Sequence, residues 1–158
     1  MLRLSRMTDY AVVVLVRMAR GGPVVMTAPG LAAATNLPEP SVGKILKQLA
    51  QARLVSAHRG AAGGYVLARP AGDIRVSEVV AALEGEVALT ACVDGAEGGC
   101  RVEATCPVRG RWDPVNRAVR AALEEVSLAD MAGMAAMPVS AATAGPIMRE
   151  WSNADRGA

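Results

Sequence analysis

At 158 residues, the chain is long enough for one domain, or for one small domain with an appended helix. Hydrophobic residues make up 52% of it, with much Ala, Val, Leu and Met but no Phe. Small side chains let helices approach closely, which favours a mainly helical protein. No run of about eighteen apolar residues could span a membrane. Asp9 and Arg17 interrupt the N-terminal apolar segment, which argues against a signal peptide. We therefore expect a cytoplasmic protein with reduced thiols and no membrane partner.

The net charge of +2 conceals an asymmetry along the chain. Residues 1–70 carry nine Lys and Arg against two acids, a charge of +7. Residues 71–158 carry eight against thirteen, a charge of −5. A basic half joined to an acidic half suggests a polyanionic partner for the first half, the alternative being a chance clustering of solvated charges.

Two helices are predicted at the start of the chain. The first begins near Asp9 with Thr8 as its cap, and residues 21–23, Gly-Gly-Pro, end it. Its apolar residues recur at helical spacing, at Val12, Leu15, Val16 and Ala19. The second is short and is capped by Thr27. It has Pro29 in its first turn, inward-facing Leu31 and Ala34, and Asn36 near its end.

A third helix, predicted to begin around Pro40, has two contrasting faces. One face is an apolar stripe of Val42, Ile45, Leu46 and Leu49. The opposite face carries Ser41, Lys44, Lys47, Gln48 and Gln51. Lysines suit phosphates or guanine, and amides suit base edges. With the two preceding helices, this face predicts a helix-turn-helix that binds nucleic acid.

Two strand-like runs follow, at residues 54–59 and 65–69, joined by the glycine-rich residues 60–64. A β-hairpin directly after a recognition helix is a wing. Its glycines would let the tip approach a phosphate backbone, and Arg59 could enter a minor groove. The predicted DNA-binding residues are therefore Ser41, Lys44, Lys47, Gln48, Arg59, Gly60, Gly63 and Gly64.

The remaining chain is predicted to contain two further helices. One lies within residues 73–84, ends at Gly85 and has an apolar stripe of Val76, Val79, Val80 and Leu83. The other is long and opens at Asp113 and Pro114. Its regular seam indicates a homodimer interface, the alternative being a helix folded onto its own core. The seam residues are Val115, Ala118, Val119, Ala122, Leu123 and Val126. The composition after Gly133 predicts a disordered tail.

Three cysteines lie between these two helices: Cys92, Cys100 and Cys106. An odd number cannot all pair in disulfides, and the paired C-x-x-C spacing of zinc fingers is missing. Three soft ligands suit an iron–sulfur cluster, zinc or cuprous copper, while a thiol switch or inert cysteines are alternatives. Candidate fourth ligands are the carboxylates of Asp94, Glu97, Glu103 and Asp9.

The single histidine, His58, lies in the predicted wing and is expected to be a surface or packing residue instead of a ligand. A nucleophilic cysteine would need a base near it, usually a histidine. Because His58 lies on a different element from every cysteine, the sequence does not support an enzyme.

The chain resembles the iron–sulfur winged-helix regulators of the IscR and NsrR family from Met1 to about Met131. The resemblance rests jointly on the segments LRLSRMTDYAVVVL, SVGKILKQLAQARLVS, RGAAGGYVLARP and RVSEVV, and on the three-cysteine loop before the last helix. The segments EGEVALTAC, CPVRGRW and VNRAVR look closest to the regulators of the SUF cluster-assembly operon.

This resemblance implies a homodimeric transcription regulator, a repressor that binds a palindromic operator on double-stranded DNA. It implies Cys92, Cys100 and Cys106 as ligands of a two-iron or four-iron cluster that reports cluster status, redox or nitric oxide stress. The assembly-regulator branch has a histidine three residues after its last cysteine, where this chain has Arg109, which cannot ligate while charged. The nitric-oxide-sensing branch can use an N-terminal aspartate of the partner subunit, and Asp9 matches that position.

The predicted fold is mainly α with a small β-hairpin. A winged helix-turn-helix DNA-binding domain covers residues 1–84, and a cluster-binding cysteine loop covers residues 85–112. A dimerisation helix covers residues 113–132, and the tail covers residues 133–158. The alternative function keeps the DNA-binding dimer but uses the cysteines as a zinc site or thiol redox switch without iron.

Overall fold

The computed structural model describes residues 3–60, 62–93, 100 and 105–134, and nearly all of the predicted tail lies outside them. Within these residues the chain is mainly helical with one antiparallel hairpin, as expected. No helix there is long and apolar enough to cross a membrane. The elements are α1 (Arg6–Gly21), α2 (Ala28–Thr35), α3 (Glu39–Gln51), β1 (Val55–His58), β2 (Gly64–Leu67), α4 (Val76–Glu84), α5 (Asp113–Glu125) and α6 (Leu128–Met131).

Helix α1 begins earlier than expected. Ser5 is its N-cap, and the Ser5 hydroxyl accepts a hydrogen bond from the Thr8 amide at 3.2 Å. The expected cap, Thr8, is buried within the helix, and its hydroxyl donates to the carboxylate of Glu84 at the end of α4. This hydrogen bond holds the pKa of Glu84 below its ordinary value. A contact between residues distant in sequence therefore joins the start of α1 to the end of α4.

The buried face of α1 is turned slightly from the predicted one. Leu15 and Ala19 are buried as expected, whereas Val12 and Val16 are only half-buried and pack at the edge of the core. The other buried apolar residues of α1 are Ala11, Val14 and Met18. Because α1 contacts α2, α3, α4 and α6, more than one narrow stripe of it is covered.

The core lies where α1, α2 and α3 meet. The predicted apolar stripe of α3 is fully buried at all four positions: Val42, Ile45, Leu46 and Leu49. Thr27 caps α2 and Asn36 ends it, as expected, and Leu31 is buried. Ala32 accompanies Leu31 in the core, whereas Ala34, which was expected there, is exposed. Three consecutive alanines carry no amphipathic pattern, so packing alone selects the one that faces inward.

Strands β1 and β2 form the predicted hairpin, with Val55 opposite Leu67 and His58 opposite Gly64. Met26, between α1 and α2, exchanges two backbone hydrogen bonds of 2.8 Å with Tyr65 of β2. This pairing continues the ladder beyond the hairpin and covers part of the outer edge of β2. The wing is therefore fixed to the helical part of the domain from two sides.

The turn between α3 and β1 holds a non-glycine residue in the left-handed region. Arg53 has a φ of 59° and follows Ala52, the C-cap of α3. The Arg53 amide donates to the Ala50 carbonyl at 3.1 Å, and the Leu54 amide donates to the Leu49 carbonyl at 2.9 Å. This is the Schellman arrangement, which glycine usually completes. Because Cβ crowds the following carbonyl oxygen in this conformation, arginine costs about 1–2 kcal/mol here.

Replacing Arg53 by glycine is expected to raise the free energy of unfolding by about 1 kcal/mol, because glycine adopts this φ without the Cβ contact. Urea denaturation measures the change. The control is Gln51→Gly, which places a glycine inside the last turn of α3 and should lower the free energy of unfolding by about 1 kcal/mol. Equal destabilisation by both substitutions would show that Arg53 is not strained.

The single helix predicted over residues 113–132 is in fact two helices. Helix α5 ends at Glu125, because Val126 is extended and its carbonyl accepts a hydrogen bond from the Val76 amide at 3.0 Å. The Leu128 amide then donates to the Ile74 carbonyl at 2.8 Å. Helix α6 contacts α1, and Leu128 is buried in the core. The chain after α5 thus returns to the domain that carries the wing, and the prediction of one continuous helix here is wrong.

Candidate nucleic-acid interface and cysteine loop

The two lysines of α3 lie on its exposed side. Lys44 and Lys47 line one shallow depression together with Gly43 and with Ala28 from the first turn of α2. Glu39, at the start of α3, adds a negative charge at the same depression. The start of α2 and the exposed face of α3 therefore border one surface, which is the geometry of a helix-turn-helix that presents α3 to a groove.

The other polar residues predicted for this face form a stripe along α3. Ser41, Lys44, Gln48 and Gln51 follow one another at three- and four-residue spacing, so neighbouring side chains lie one above the other. Gln51 is exposed, whereas Ser41 and Gln48 are half-buried where this face meets the body of the domain. All members of the predicted recognition face are thus on one side of α3, opposite its buried apolar stripe.

Positive charge dominates the surface from α3 to the wing. The chain has no acidic residue between Pro40 and Gly72. Within the part of the chain that the structure describes, Arg69 is paired with Glu78 at 2.6 Å, but four other cations of this stretch form no ion pair. These four exposed cations are Lys44, Lys47, Arg53 and Arg59. Their uncompensated charge favours contact with a phosphate backbone.

The fold itself requires the glycines of the wing. A Cβ on Gly63 would lie 2.6 Å from the His58 carbonyl oxygen, and one on Gly64 would lie 2.6 Å from the Met26 carbonyl oxygen. Gly60 has a φ of 108°, which side chains rarely tolerate. Their predicted approach to DNA stays a prediction, because close backbone packing within the hairpin already accounts for glycine at these positions.

The three cysteines are free thiols, and each is half-buried. The Cys92 sulfur lies 3.3 Å from the Thr90 hydroxyl, shortly after the end of α4. Cys106 begins the turns that lead into α5, and its carbonyl accepts a hydrogen bond from the Arg109 amide at 3.3 Å. Residues 94–99 and 101–104 lie outside the described residues, together with the predicted ligand candidates Asp94, Glu97 and Glu103.

The cysteines fit a metal by donor type but are not gathered into a site. Three thiols suit a soft metal or an iron–sulfur cluster. In the described ranges, however, no three His, Cys, Asp or Glu side chains come close enough to hold a metal ion. Asp9 is exposed on α1, and His58 is exposed on β1. Ligation by all three thiols would therefore require the segments that carry them to converge.

Helix α5 leaves half of its predicted seam open. Val115 is 45% exposed, and the smaller seam residues Ala118 and Ala122 are also exposed. Val119 and Leu123 instead line a groove beside Val80 of α4. An exposed apolar ridge on a helix is typical of a protein–protein contact.

One residue of α5 that was not predicted from the sequence, Asn116, connects this helix to the backbone before Cys92. Asn116 is 3% exposed, and its side-chain amide bonds to the backbone of residues 87 and 89. The signal in the sequence was a single amide next to the apolar seam residue Val115. Its partners lie 27 and 29 residues earlier, so no local pattern points to them.

Comparison with known proteins identifies relatives over most of the chain. The Rrf2 family model, described as an iron-dependent transcriptional regulator, matches residues 4–133. The HTH-type transcriptional regulator IscR of Cereibacter sphaeroides is 32% identical over 134 residues, covering 82% of this chain and 86% of that protein. CymR, the global cysteine regulator of B. subtilis, has a TM-score of 0.66 and 26% identity, covering 86% of this chain and 100% of that one. T. potens IscR has a TM-score of 0.61 and 28% identity, covering 94% of this chain and 96% of that one.

Proposed function

Because this chain belongs to the Rrf2 family of transcriptional regulators, we propose that it binds a palindromic operator on double-stranded DNA as a cytoplasmic homodimer and represses transcription. Helix α3 of each subunit enters a major groove. Ser41, Lys44, Lys47 and Gln48 contact phosphates and base edges there. Arg59 and the wing tip, with Gly60, Gly63 and Gly64, reach the adjacent minor groove.

The observation that carries this proposal is the division of α3 into two faces. Its apolar stripe is completely buried, while Lys44 and Lys47 on its other side are exposed and form no ion pair within the described residues. Both lysines lie beside the wing, where Arg59 is also exposed and unpaired within the described residues. They are available to phosphates, which supply most of the affinity of proteins for DNA.

The open ridge of α5 supports the proposed dimer. Val115, Ala118 and Ala122 stay exposed among the described residues of their own subunit, and a second copy of α5 would cover them. Two copies related by a two-fold axis present two α3 helices, and such a dimer reads a palindrome whose half-sites lie about one helical turn apart or a multiple of it.

Replacing Arg59 by alanine is expected to weaken operator binding by about 1–3 kcal/mol, because a positive charge at the wing is removed. Fluorescence anisotropy with the DNA upstream of the cluster-assembly genes measures the affinity at fixed salt. The control is Arg117→Ala, which removes an exposed charge from α5, outside the helix-turn-helix and the wing, and should leave the affinity unchanged. Equal affinities of Arg59→Ala and the parent protein would rule out the wing contact.

For the cysteine loop, the proposal is that Cys92, Cys100 and Cys106 bind an iron–sulfur cluster of two or four irons, with Asp9 as the candidate fourth ligand. When bound, such a cluster supplies a centre that is sensitive to oxidants, nitric oxide and iron supply, especially where one ligand is not a cysteine. The supporting observations are the soft donor set and its place between α4 and α5.

The regulated genes in this proposal are those of iron–sulfur cluster assembly.

Gain or loss of thiol ligation changes the path of the loop and the position of α5. Because α5 sets how two subunits join, it also sets the spacing of the two α3 helices. Small changes in that spacing alter the fit to the half-sites and so switch operator affinity.

A second candidate keeps the DNA-binding dimer but uses the cysteines as a zinc site or a thiol redox switch without iron. The fold is similar to that of CymR, a global cysteine regulator, which favours this candidate. The described thiols are not gathered in one place, which favours a thiol switch over either metal site. Iron, sulfide and zinc analysis of protein purified without oxygen separates the two. Matched iron and sulfide support the cluster, and zinc or neither metal supports the alternative.

A further inference from the structure

The buried residue of α5 is polar, Asn116. It is 3% exposed, whereas the apolar residues of the same helix are half-buried or exposed. A buried amide is unfavourable unless its donor and acceptor are both satisfied. Asn116 meets this condition through backbone groups of the segment that leads into the cysteine loop.

The Asn116 amide makes one hydrogen bond of each kind. Its Nδ2 donates to the Val87 carbonyl at 3.1 Å, and its Oδ1 accepts from the Leu89 amide at 3.0 Å. Val87 and Leu89 lie in irregular backbone after Gly85, the residue that caps α4. The side chain thus makes the kind of hydrogen bonds that a neighbouring strand makes in a sheet. We refer to Asn116 and these two backbone groups as the Asn116 clamp.

The clamp lies directly before the first cysteine. Leu89 is followed by Thr90, whose hydroxyl lies 3.3 Å from the Cys92 sulfur. One turn further along α5, Arg120 forms an ion pair with Glu86. The stretch from Glu86 to Leu89 is therefore bound to α5 at both ends, and Cys92 lies three residues beyond the last contact.

We propose that Asn116 is a positioning residue that couples the backbone before Cys92 to α5. A displacement of Cys92 that shifts residues 87–89 acts on α5 through the Asn116 clamp, because these residues cannot move away without breaking both hydrogen bonds. This inference rests on the proposed function for its regulatory meaning, since it assigns the route by which the cysteine loop acts on the dimer helix. The clamp itself can be tested without DNA or a cluster.

The test measures how fast a thiol reagent, 5,5′-dithiobis-(2-nitrobenzoic acid), modifies single cysteines. In the Cys100→Ser, Cys106→Ser background, only Cys92 remains. In this background, Asn116→Ala is expected to speed modification of Cys92 about two- to tenfold. The reason is that the segment before Cys92 opens more often once the two hydrogen bonds are lost. In the Cys92→Ser, Cys100→Ser background, the same substitution should leave the rate of Cys106 unchanged.

The two backgrounds separate local from global effects. Faster modification of both Cys92 and Cys106 would mean that Asn116 supports the whole fold. An unchanged rate at Cys92 would mean that the clamp does not hold the loop. Either result overturns the proposal. If Asn116→Ala fails to fold, Asn116→Asp takes its place: it keeps the acceptor for Leu89 and removes the donor to Val87. Arg117→Ala, one residue along α5, should change neither rate.

A second readout connects the clamp to regulation. In protein whose cysteine loop controls operator affinity, Asn116→Ala should bring the affinities of the iron-loaded and iron-free forms to within about twofold of each other, where the parent differs by at least about fivefold. If the parent takes up no iron, the proposed cluster fails while the thiol rates still decide the clamp. If the parent switches and Asn116→Ala switches equally, the coupling role is refuted and the proposed function stands.

Discussion

Replacing Cys100 by alanine is expected to abolish the visible absorbance of an iron–sulfur cluster while leaving a folded dimer. Cys100 is the middle of the three thiols and is half-buried, so its loss removes a proposed ligand without opening the hydrophobic core. A cluster left with two thiolates has lost an essential part of its ligand set. The spectrum of protein purified without oxygen gives the result, together with iron and sulfide content per subunit.

The control for this substitution is Val108→Ala in the same loop. Val108 is 45% exposed and has no donor atom, so its truncation should leave both the spectrum and the iron content unchanged. Unchanged absorbance in Cys100→Ala would contradict its assignment as a ligand. A parent protein that stays colourless after anaerobic reconstitution, whether or not it carries zinc, would move the function to the zinc or thiol-switch alternative.

Replacing Leu46 by alanine is expected to lower the free energy of unfolding by about 2–5 kcal/mol, because it leaves a cavity in the core. Leu46 is 0% exposed and lies on the side of α3 opposite the lysines. Since small domains have only about 5–15 kcal/mol of stability in total, this loss would unfold much of the protein at elevated temperature. Operator binding would fall with the folded fraction, although Leu46 contacts no DNA.

Urea denaturation measures this effect, with Val24→Ala as the control. Val24 is 57% exposed, so its truncation should change the free energy of unfolding by less than about 0.5 kcal/mol. The volume-conserving Leu46→Met should cost less than about 1.5 kcal/mol. A cost below 1 kcal/mol for Leu46→Ala would be at odds with the packing of α3 against the core.

The features that were predicted correctly from the sequence depend on residues that are close to one another along the chain. The apolar stripe of α3 repeats at helical spacing, and all four of its residues are buried. Thr27 bonds the Gly30 amide three residues later, so its capping role is local as well. The hairpin needs only two apolar runs and a glycine-rich tip. In each case the chemistry that decides the structure lies within one element or one turn.

The features that were missed depend on contacts across the chain. Thr8 has the residue type of a cap, but Glu84, 76 residues later, uses its hydroxyl, and Ser5 caps α1 instead. The end of α5 is set by hydrogen bonds to residues near the start of α4, at positions 74 and 76. Such long-range pairings leave no periodic pattern in the sequence.

The candidate site shows the same division. The cations of α3 and the wing could be predicted from charge and helical spacing, and the structure places them on exposed surface. The reason for glycine at positions 63 and 64 could not, because it depends on carbonyl oxygens that the fold brings within 2.6 Å. The Asn116 clamp could not be predicted from the sequence either, because the partners of Asn116 come from a different segment.

The most direct test of the account measures operator affinity on one anaerobic preparation before and after its iron is removed by a chelator, with iron and sulfide determined in both samples. We expect matched iron and sulfide in the first sample and an affinity change of about five- to 150-fold on their removal. The same affinity in both samples, or a first sample without iron, would contradict control of DNA binding by an iron–sulfur cluster at Cys92, Cys100 and Cys106.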